Sequence, residues 1–214
     1  MRLLWAIILL SLSSFSQAST ITLNYDIFFS HMKTIYKLNY QYVTTAFYLV
    51  DRENKNKCDI TRAQIRVENN FEPILFQPSG RLLPFYSDKH RKDGAVLVVD
   101  INDGKMLSSC DLQVSLMAKE RELSSLTTDK LNIISEQLEG VLKKNAGMIG
   151  KYFLPTFAGV RLQLSQPVDS LQLTGFNLDS SQAILLSNNE LDKINQINEL
   201  GLNIIRITPW LLTE

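Results

Sequence analysis

The sequence predicts an α+β fold: a mainly antiparallel sheet with one long amphipathic helix packed on it, and a smaller C-terminal β/α segment. Three observations predict it. Alternating apolar and polar residues recur in short runs such as "TITLNY" and "SCDLQVSLMA", the period of half-buried strands. Turn chemistry, Asp103-Gly104 above all, separates consecutive strands closely enough for hairpins. One stretch, "TTDKLNIISEQLEGVLKKNAGMIG", switches to helical periodicity.

The chain opens "MRLLWAIILLSLSSFSQAST", with Arg2 as a short positive region, an apolar run from Leu3 to Leu12 and a small-residue stretch after it. Ser16-Gln17-Ala18 fits the small-x-small rule, so residues 1–18 are expected to be a cleaved signal peptide, cut between Ala18 and Ser19. The apolar run is short against the roughly 20 residues that span a bilayer as a helix. The mature product, 19–214, is expected to be one exported domain that does not span the membrane. Its main sheet and long helix would occupy about 19–165, with a C-terminal subdomain or extension over about 166–214, the seam falling near Gln166-Pro167.

Within that domain, "TITLNY" reads as a strand, and Asp26 as the N-cap of a short helix, "IFFSHMKTIY". Asn39 to Asp51 is dense in Tyr, Val, Thr and Phe and reads as a long strand. After the polar "RENKNK" the chain turns back, so Tyr40 to Glu68 is expected to form a hairpin. Pro73, Pro78, Pro84 and Gly80 break the next stretch into short extended pieces, and "DKHRKDG" reads as a charged loop. "AVLVVDI", a continuous β-branched run, reads as an interior strand, joined through "NDGK" to "SCDLQVSLMA" in a second hairpin.

The long helix is expected from about Thr128 to Ile149, with Leu131, Ile134, Leu138, Val141, Leu142, Met148 and Ile149 on its apolar face. Beyond it "GVRLQL" alternates, and "DSLQLTGFNL" with "QAILLS" suggests a hairpin around Gly175. "SNNELDKINQINELG" carries a capping box, Ser187 to Glu190, and "LNIIRITPW" a last strand stopped by Pro209.

Charge and composition narrow the function. Without Arg2 the mature chain holds 21 basic and 22 acidic side chains, a net charge of −1. That balance argues against nucleic acid, whose partners usually carry a basic excess. No metal or cofactor is expected: His31 and His90 are the only histidines, and no C-x-x-C, H-x-x-x-H or calcium-loop spacing occurs. Ser30 to Lys33 has the S-x-x-K form of penicillin-recognising enzymes and Ser87 to Lys89 half of their second motif, but the third is missing. Glu120 and Glu122 are ordinary surface carboxylates by spacing. "KHRK", Lys89 to Lys92, is flanked by Asp88 and Asp93, which blunts its field.

The order of features resembles a family of exported Gram-negative proteins catalogued only as a domain of unknown function. The likeness is carried by the signal peptide, "YDIFFSHMKTIY", "FYLVDRENKNKCDI", "FEPILFQPSGRLLPF", the second cysteine strand, the long helix and "GKYFLPTFAGVRLQL", over about Thr20 to Leu164. The resemblance implies a periplasmic location and a paired-cysteine domain, and it carries over no active-site residue.

Two cysteines in an oxidising compartment most often pair. Cys58 and Cys110 are therefore expected to form a disulfide between two strands, leaving Asp111 on the solvent face. With no catalytic constellation in view, the expected function is non-enzymatic binding of an envelope partner, protein or lipid. A groove near the aromatic helix would support that reading. The alternative is an envelope hydrolase whose site is assembled from residues distant in sequence, with His31 or His90 meeting a serine or carboxylate in a concave pocket.

Overall fold

A computed structural model describes residues 19–102, 109–150, 155–168 and 173–212. The expected leader with Ala18, and the Asp103-Gly104 turn, lie outside the described residues. In chain order the elements are β1 (Ser19–Asn24), α1 (Tyr25–Leu38), β2 (Val43–Asp51), β3 (Ile60–Val67), β4 (Asn70–Pro73), β5 (Leu75–Phe76), β6 (Arg81–Leu83) and α2 (Asp88–Lys92). They continue with β7 (Val96–Ile101), β8 (Cys110–Ala118), α3 (Thr128–Gly150), β9 (Thr156–Leu164), β10 (Asn177–Leu178), β11 (Ile184–Ser187), α4 (Ile194–Glu199) and β12 (Ile204–Leu212).

The fold is α+β with antiparallel pairing, and the strands divide into three four-stranded sheets instead of one main sheet. The first has the order β1-β7-β3-β4, the second β5-β6-β2-β8 and the third β10-β11-β9-β12. "AVLVVDI" is interior as expected, since β7 pairs with both β1 and β3.

Both expected N-terminal hairpins are corrected by this arrangement. β2 and β3 lie in different sheets, and only a remnant of local pairing survives, a bridge between Val50 and Lys57 with the Cys58 N–H donating to the Leu49 carbonyl at 2.9 Å. β7 and β8 are likewise split between the first and second sheets. The reason is burial. Phe47 and Leu49 of the second sheet and Ile60, Ala63, Ile65, Leu97, Val99 and Ile101 of the first fill one core, together with Tyr25, Phe28 and Phe29 of α1. A turn that carries the chain across this core buries both apolar faces, whereas a hairpin within one sheet would leave them to find other cover.

α3 covers the third sheet. Leu131, Ile134, Leu138 and Val141, spaced three, four and three apart, are buried against Val160, Leu162, Ile184, Leu186 and Ile207. Burying one such side chain is worth ~1.5–3 kcal/mol, and the Thr127 hydroxyl caps the helix start by accepting from the Lys130 N–H at 3.2 Å. The side chains of Met148 and Ile149 lie outside the description.

Other local expectations shift for identifiable reasons. Asn24, not Asp26, caps α1: it has extended backbone and its side chain accepts from the Asp26 N–H at 2.9 Å, while Asp26 sits in the first turn, where the helix dipole favours an acid. "DKHRK" is a short helix, because Ser87 caps it by accepting from the His90 N–H. The late hairpin turns at Asp179–Ala183, not at Gly175; the Asp179 carboxylate accepts from the N–H groups of Ser181 and Ala183 and pairs with Arg161. β12 runs through Pro209, which pairs opposite Val160. Proline is tolerated there because β12 ends the strand order of its sheet, and an edge strand can spare a donor. In the Ser187–Glu190 box, Glu190 accepts from both the hydroxyl and the N–H of Ser187, and a 3-10 turn at Leu191–Lys193 follows before α4.

The Cys58–Cys110 disulfide is formed, with a Cα–Cα separation of 6.5 Å. Cys110 opens β8, and Cys58 lies where the chain leaves β2 for β3, so the bond ties the crossover to the second sheet. Asp111 is solvent-exposed and pairs with Arg52 at 2.8 Å.

Two predictions come from this packing. Replacing both cysteines with alanine lowers the unfolding free energy by about 2–4 kcal/mol, because the open chain regains the entropy of a long loop; urea unfolding of oxidised, reduced and double-alanine protein checks it, and identical midpoints would refute it. His31 lies edge-on to Phe47 with ring centroids 6.3 Å apart, and burial lowers its pKa from the ordinary 6.5. The folded protein therefore resists a proton that the unfolded chain accepts, and stability falls as pH drops below about 6.5 toward the folded value. His31→Gln removes that part of the slope, measured by urea unfolding between neutral and mildly acid pH; an unchanged slope would count against it.

Candidate functional site

α1 spans two cores. Its first half contributes Tyr25, Phe28 and Phe29 to the core between the first and second sheets, while Ile35 and Leu38 pack on the core beneath α3. Asn39 ends the helix in the left-handed region, φ 51°, which suits asparagine. The chain then doubles back through Tyr40 and Gln41 into β2. A groove of about 530 Å³ opens at this bend, lined by Met32, Ile35, Tyr36, Tyr40, Tyr86 and Lys119 together with Asn39, Gln41, Thr44 and Thr45. Its volume falls within the ~300–1,000 Å³ typical of small-molecule sites.

Each wall has a structural cause. Tyr86 is set by the loop before α2: the Tyr25 hydroxyl donates to the Phe85 carbonyl at 2.6 Å and accepts from the Ser87 N–H at 2.8 Å. The loop held this way stacks Tyr86 between Phe29, centroids 4.7 Å apart, and Tyr36, 4.3 Å apart. Arg91 and Lys33 lie against Phe29, 5.0 and 5.9 Å from its ring centre. Tyr36 remains 67% exposed although it is stacked on one side, so an aromatic surface is offered to solvent instead of being buried. Burial raises the pKa of Tyr86, and the nearby Asp88 adds to the effect.

Tyr40 forms another wall and depends on α3. A Cβ at Gly140 would lie 2.5 Å from the Tyr40 hydroxyl oxygen, so a glycine at this point of the helix makes room for the ring. The floor is pinned by the Tyr42 N–H donating to Gln137 Oε1 at 3.0 Å and by the Thr45 hydroxyl donating to the His31 carbonyl at 3.3 Å. Lys119 is the one charged lining residue. Its pKa is lowered, first by burial and then by Arg121, with Glu122 acting weakly in the other direction.

The residues singled out from the sequence fall elsewhere. Ser30 and Lys33 are exposed on α1, and Ser87 is occupied as the α2 cap. Glu120 pairs with Arg81 at 3.2 Å, and Glu122 with Arg121 at 2.9 Å, so the two carboxylates serve different cations. Lys89 and Arg91 pair with Asp93 and Asp88. His90 does meet a carboxylate: its Nε2 is 3.4 Å from Glu72 Oε2, beside a cavity of about 270 Å³, while Nδ1 has no hydrogen-bond partner. Tyr25 and Phe85 meet the His90 ring edge-on at 5.8 and 5.1 Å. Among the described residues no group of three or more His, Cys, Asp or Glu is placed to hold a metal ion, and no helix is long and apolar enough to cross a membrane.

Sequence reasoning looked for a groove near the aromatic helix, where Tyr36 and Tyr40 lie, but it missed Tyr86 and Lys119. Tyr86 could have been suspected as an aromatic in a proline-broken loop; nothing local marks Lys119, which the β2–β8 register brings to the site. No curated protein and no solved structure matches the chain. A family model described as "Protein of unknown function (DUF2987)" matches residues 17–164, more than half of the chain, and the protein belongs to that family.

Proposed function

We propose that the protein is an exported, periplasmic binding or accessory protein of the cell envelope. Its leader is removed between Ala18 and Ser19, its mature chain 19–214 is one domain, and its ligand seat is the groove along α1. The observation that carries this reading is the stacked pair Tyr36–Tyr86 at the mouth of a 530 Å³ groove, with Tyr36 largely exposed. Exposed aromatic surface at a concave site costs solvation and is characteristic of binding surfaces. The disulfide and the absence of a membrane-crossing helix among the described residues are compatible with export.

A second reading, an envelope hydrolase, is favoured by one observation, the His90–Glu72 contact beside a cavity. The cavity wall of Ile65, Val67, Asn70, Phe71, Glu72 and Lys89 offers no hydroxyl or thiol, and Lys89 is paired with Asp93, so this chemistry would use a water activated by His90. Ester or amide hydrolysis that disappears in His90→Asn with the fold intact would establish it, and its absence in the parent would remove it.

The binding reading predicts a positional crosslinking pattern. A photoreactive phenylalanine analogue in place of Tyr36 crosslinks to an envelope component in intact cells, while the same group at the exposed Leu75, on the short β5, does not. Equal crosslinking from both positions would refute the groove. Gly140→Ala should weaken the Tyr36 crosslink even though alanine is worth about 1 kcal/mol in a helix interior, because the added methyl displaces Tyr40. Intact-mass measurement of the periplasmic fraction checks the start at Ser19, and a retained leader or a cytoplasmic location would overturn the export assignment.

A further inference from the structure

We propose that the groove takes an anionic single-chain amphiphile, a long-chain carboxylate, with its acid group at Lys119 and its hydrocarbon chain along Met32, Ile35, Tyr36 and Tyr86. This rests on the groove being a ligand seat and adds the chemistry of what sits there.

The groove lining is of two kinds. α1 and the Phe85–Ser87 loop supply methionine, isoleucine and the faces of two tyrosines, a surface that gains from contact with methylene groups and offers little to a charged one. The β2–β8 ladder ends with Val43 opposite Ala118, so Lys119 follows opposite Tyr42 and joins the lining with Thr44 and Thr45. The ammonium of Lys119 makes no hydrogen bond or ion pair with another described residue, and no lining residue is acidic. A ligand that fills the groove strips water from this charge, and an anionic group compensates for that loss better than a neutral acceptor does.

A second cation reaches the β2 part of the lining. Arg81 is 8% exposed, and its Nη2 reaches the Thr44 hydroxyl at 3.4 Å. Glu120 pairs with it at 3.2 Å, whereas Lys119 is the one charged residue of the lining itself. Burial lowers the Lys119 pKa, and an anion bound beside it would act in the opposite direction by favouring the charged form. Size suits one chain: about 530 Å³ is the scale of a single small molecule.

The test titrates the mature protein with laurate and with its methyl ester, both below their aggregation limits, following backbone amide shifts by NMR. Laurate is expected to shift Met32, Tyr36, Tyr86 and Lys119 and to bind about tenfold or more tighter than the ester, the scale of a charge-assisted contact. Lys119→Met should lose that preference while still binding the ester, Lys119→Arg should keep it, and added salt should weaken laurate alone. Should Lys119→Met fail to fold, the salt dependence and Lys119→Arg decide. Equal affinity for laurate and ester at these residues overturns the anionic ligand and leaves the groove standing. Absence of groove shifts with either compound overturns both. Laurate shifts confined to other surfaces would also refute the assignment.

Discussion

The ladder between β2 and β8 is the interaction on which the rest of the structure depends. Nine residues of each strand pair without interruption, from Val43 opposite Ala118 to Asp51 opposite Cys110. The pair belongs to every core: Phe47, Leu49 and Cys110 face the core shared with the first sheet, Val43 and Ala118 enter the core beneath α3, and Ala46, Tyr48, Val50 and Met117 form a cluster of their own. One end of the ladder is stapled by Cys58–Cys110. At the other end the Lys119 N–H donates to the Tyr42 carbonyl, and Tyr42 in turn donates to Gln137 of α3. Since side chains alternate with a period of two, a slip of one residue would turn all three clusters inside out at once.

The groove follows from this spine. It lies where the ladder ends, where α1 passes from one core to the other and the chain must reverse between Leu38 and Val43. Its walls come from segments far apart in sequence, α1, β2, the Phe85–Ser87 loop and the residue after β8, and they meet because the ladder and the Tyr25 hydrogen bonds bring them there. A site assembled in this way can have a well-defined shape without any local motif.

That also explains what the sequence revealed and what it did not. The alternation in "TITLNY", the β-branched "AVLVVDI" and the helical stripe from Leu131 to Val141 report burial directly, and each became the element its period announced. The sheet partners were not legible, because a turn sequence constrains only a few dihedrals. Two strands close in sequence can pair in one layer or lie in separate layers, and the choice is made by apolar faces that meet over long separations. Pro209 shows the same limit: its missing donor matters in a central strand and not at a sheet edge, a distinction that only tertiary pairing supplies. For the groove, the aromatic richness of residues 25–48 was visible, whereas the identity of the charged residue facing it depended on the β2–β8 register.

The extent of the family match raises a point about the folding unit. The match ends at residue 164, the last residue of β9, yet β9 is an interior strand whose neighbours β11 and β12 come from the following segment. Val160 and Leu162 are fully buried, flanked within the sheet by Ile184, Leu186 and Ile207. The C-terminal segment also reaches the second sheet: the Arg206 guanidinium lies 5.1 Å from the Tyr48 ring centre, with Lys57 at 4.8 Å from the same ring. Cation–π contacts of this kind are worth ~0.5–2 kcal/mol each, and the Lys57 pKa is lowered first by burial and then by the neighbouring Arg206, the cost of placing both cations there. All ten residues lining the groove fall inside the matched part. In this chain, then, the matched segment holds the proposed site, while residues 173–212 complete the sheet and core against which α3, and through Gly140 the Tyr40 wall of that site, are held.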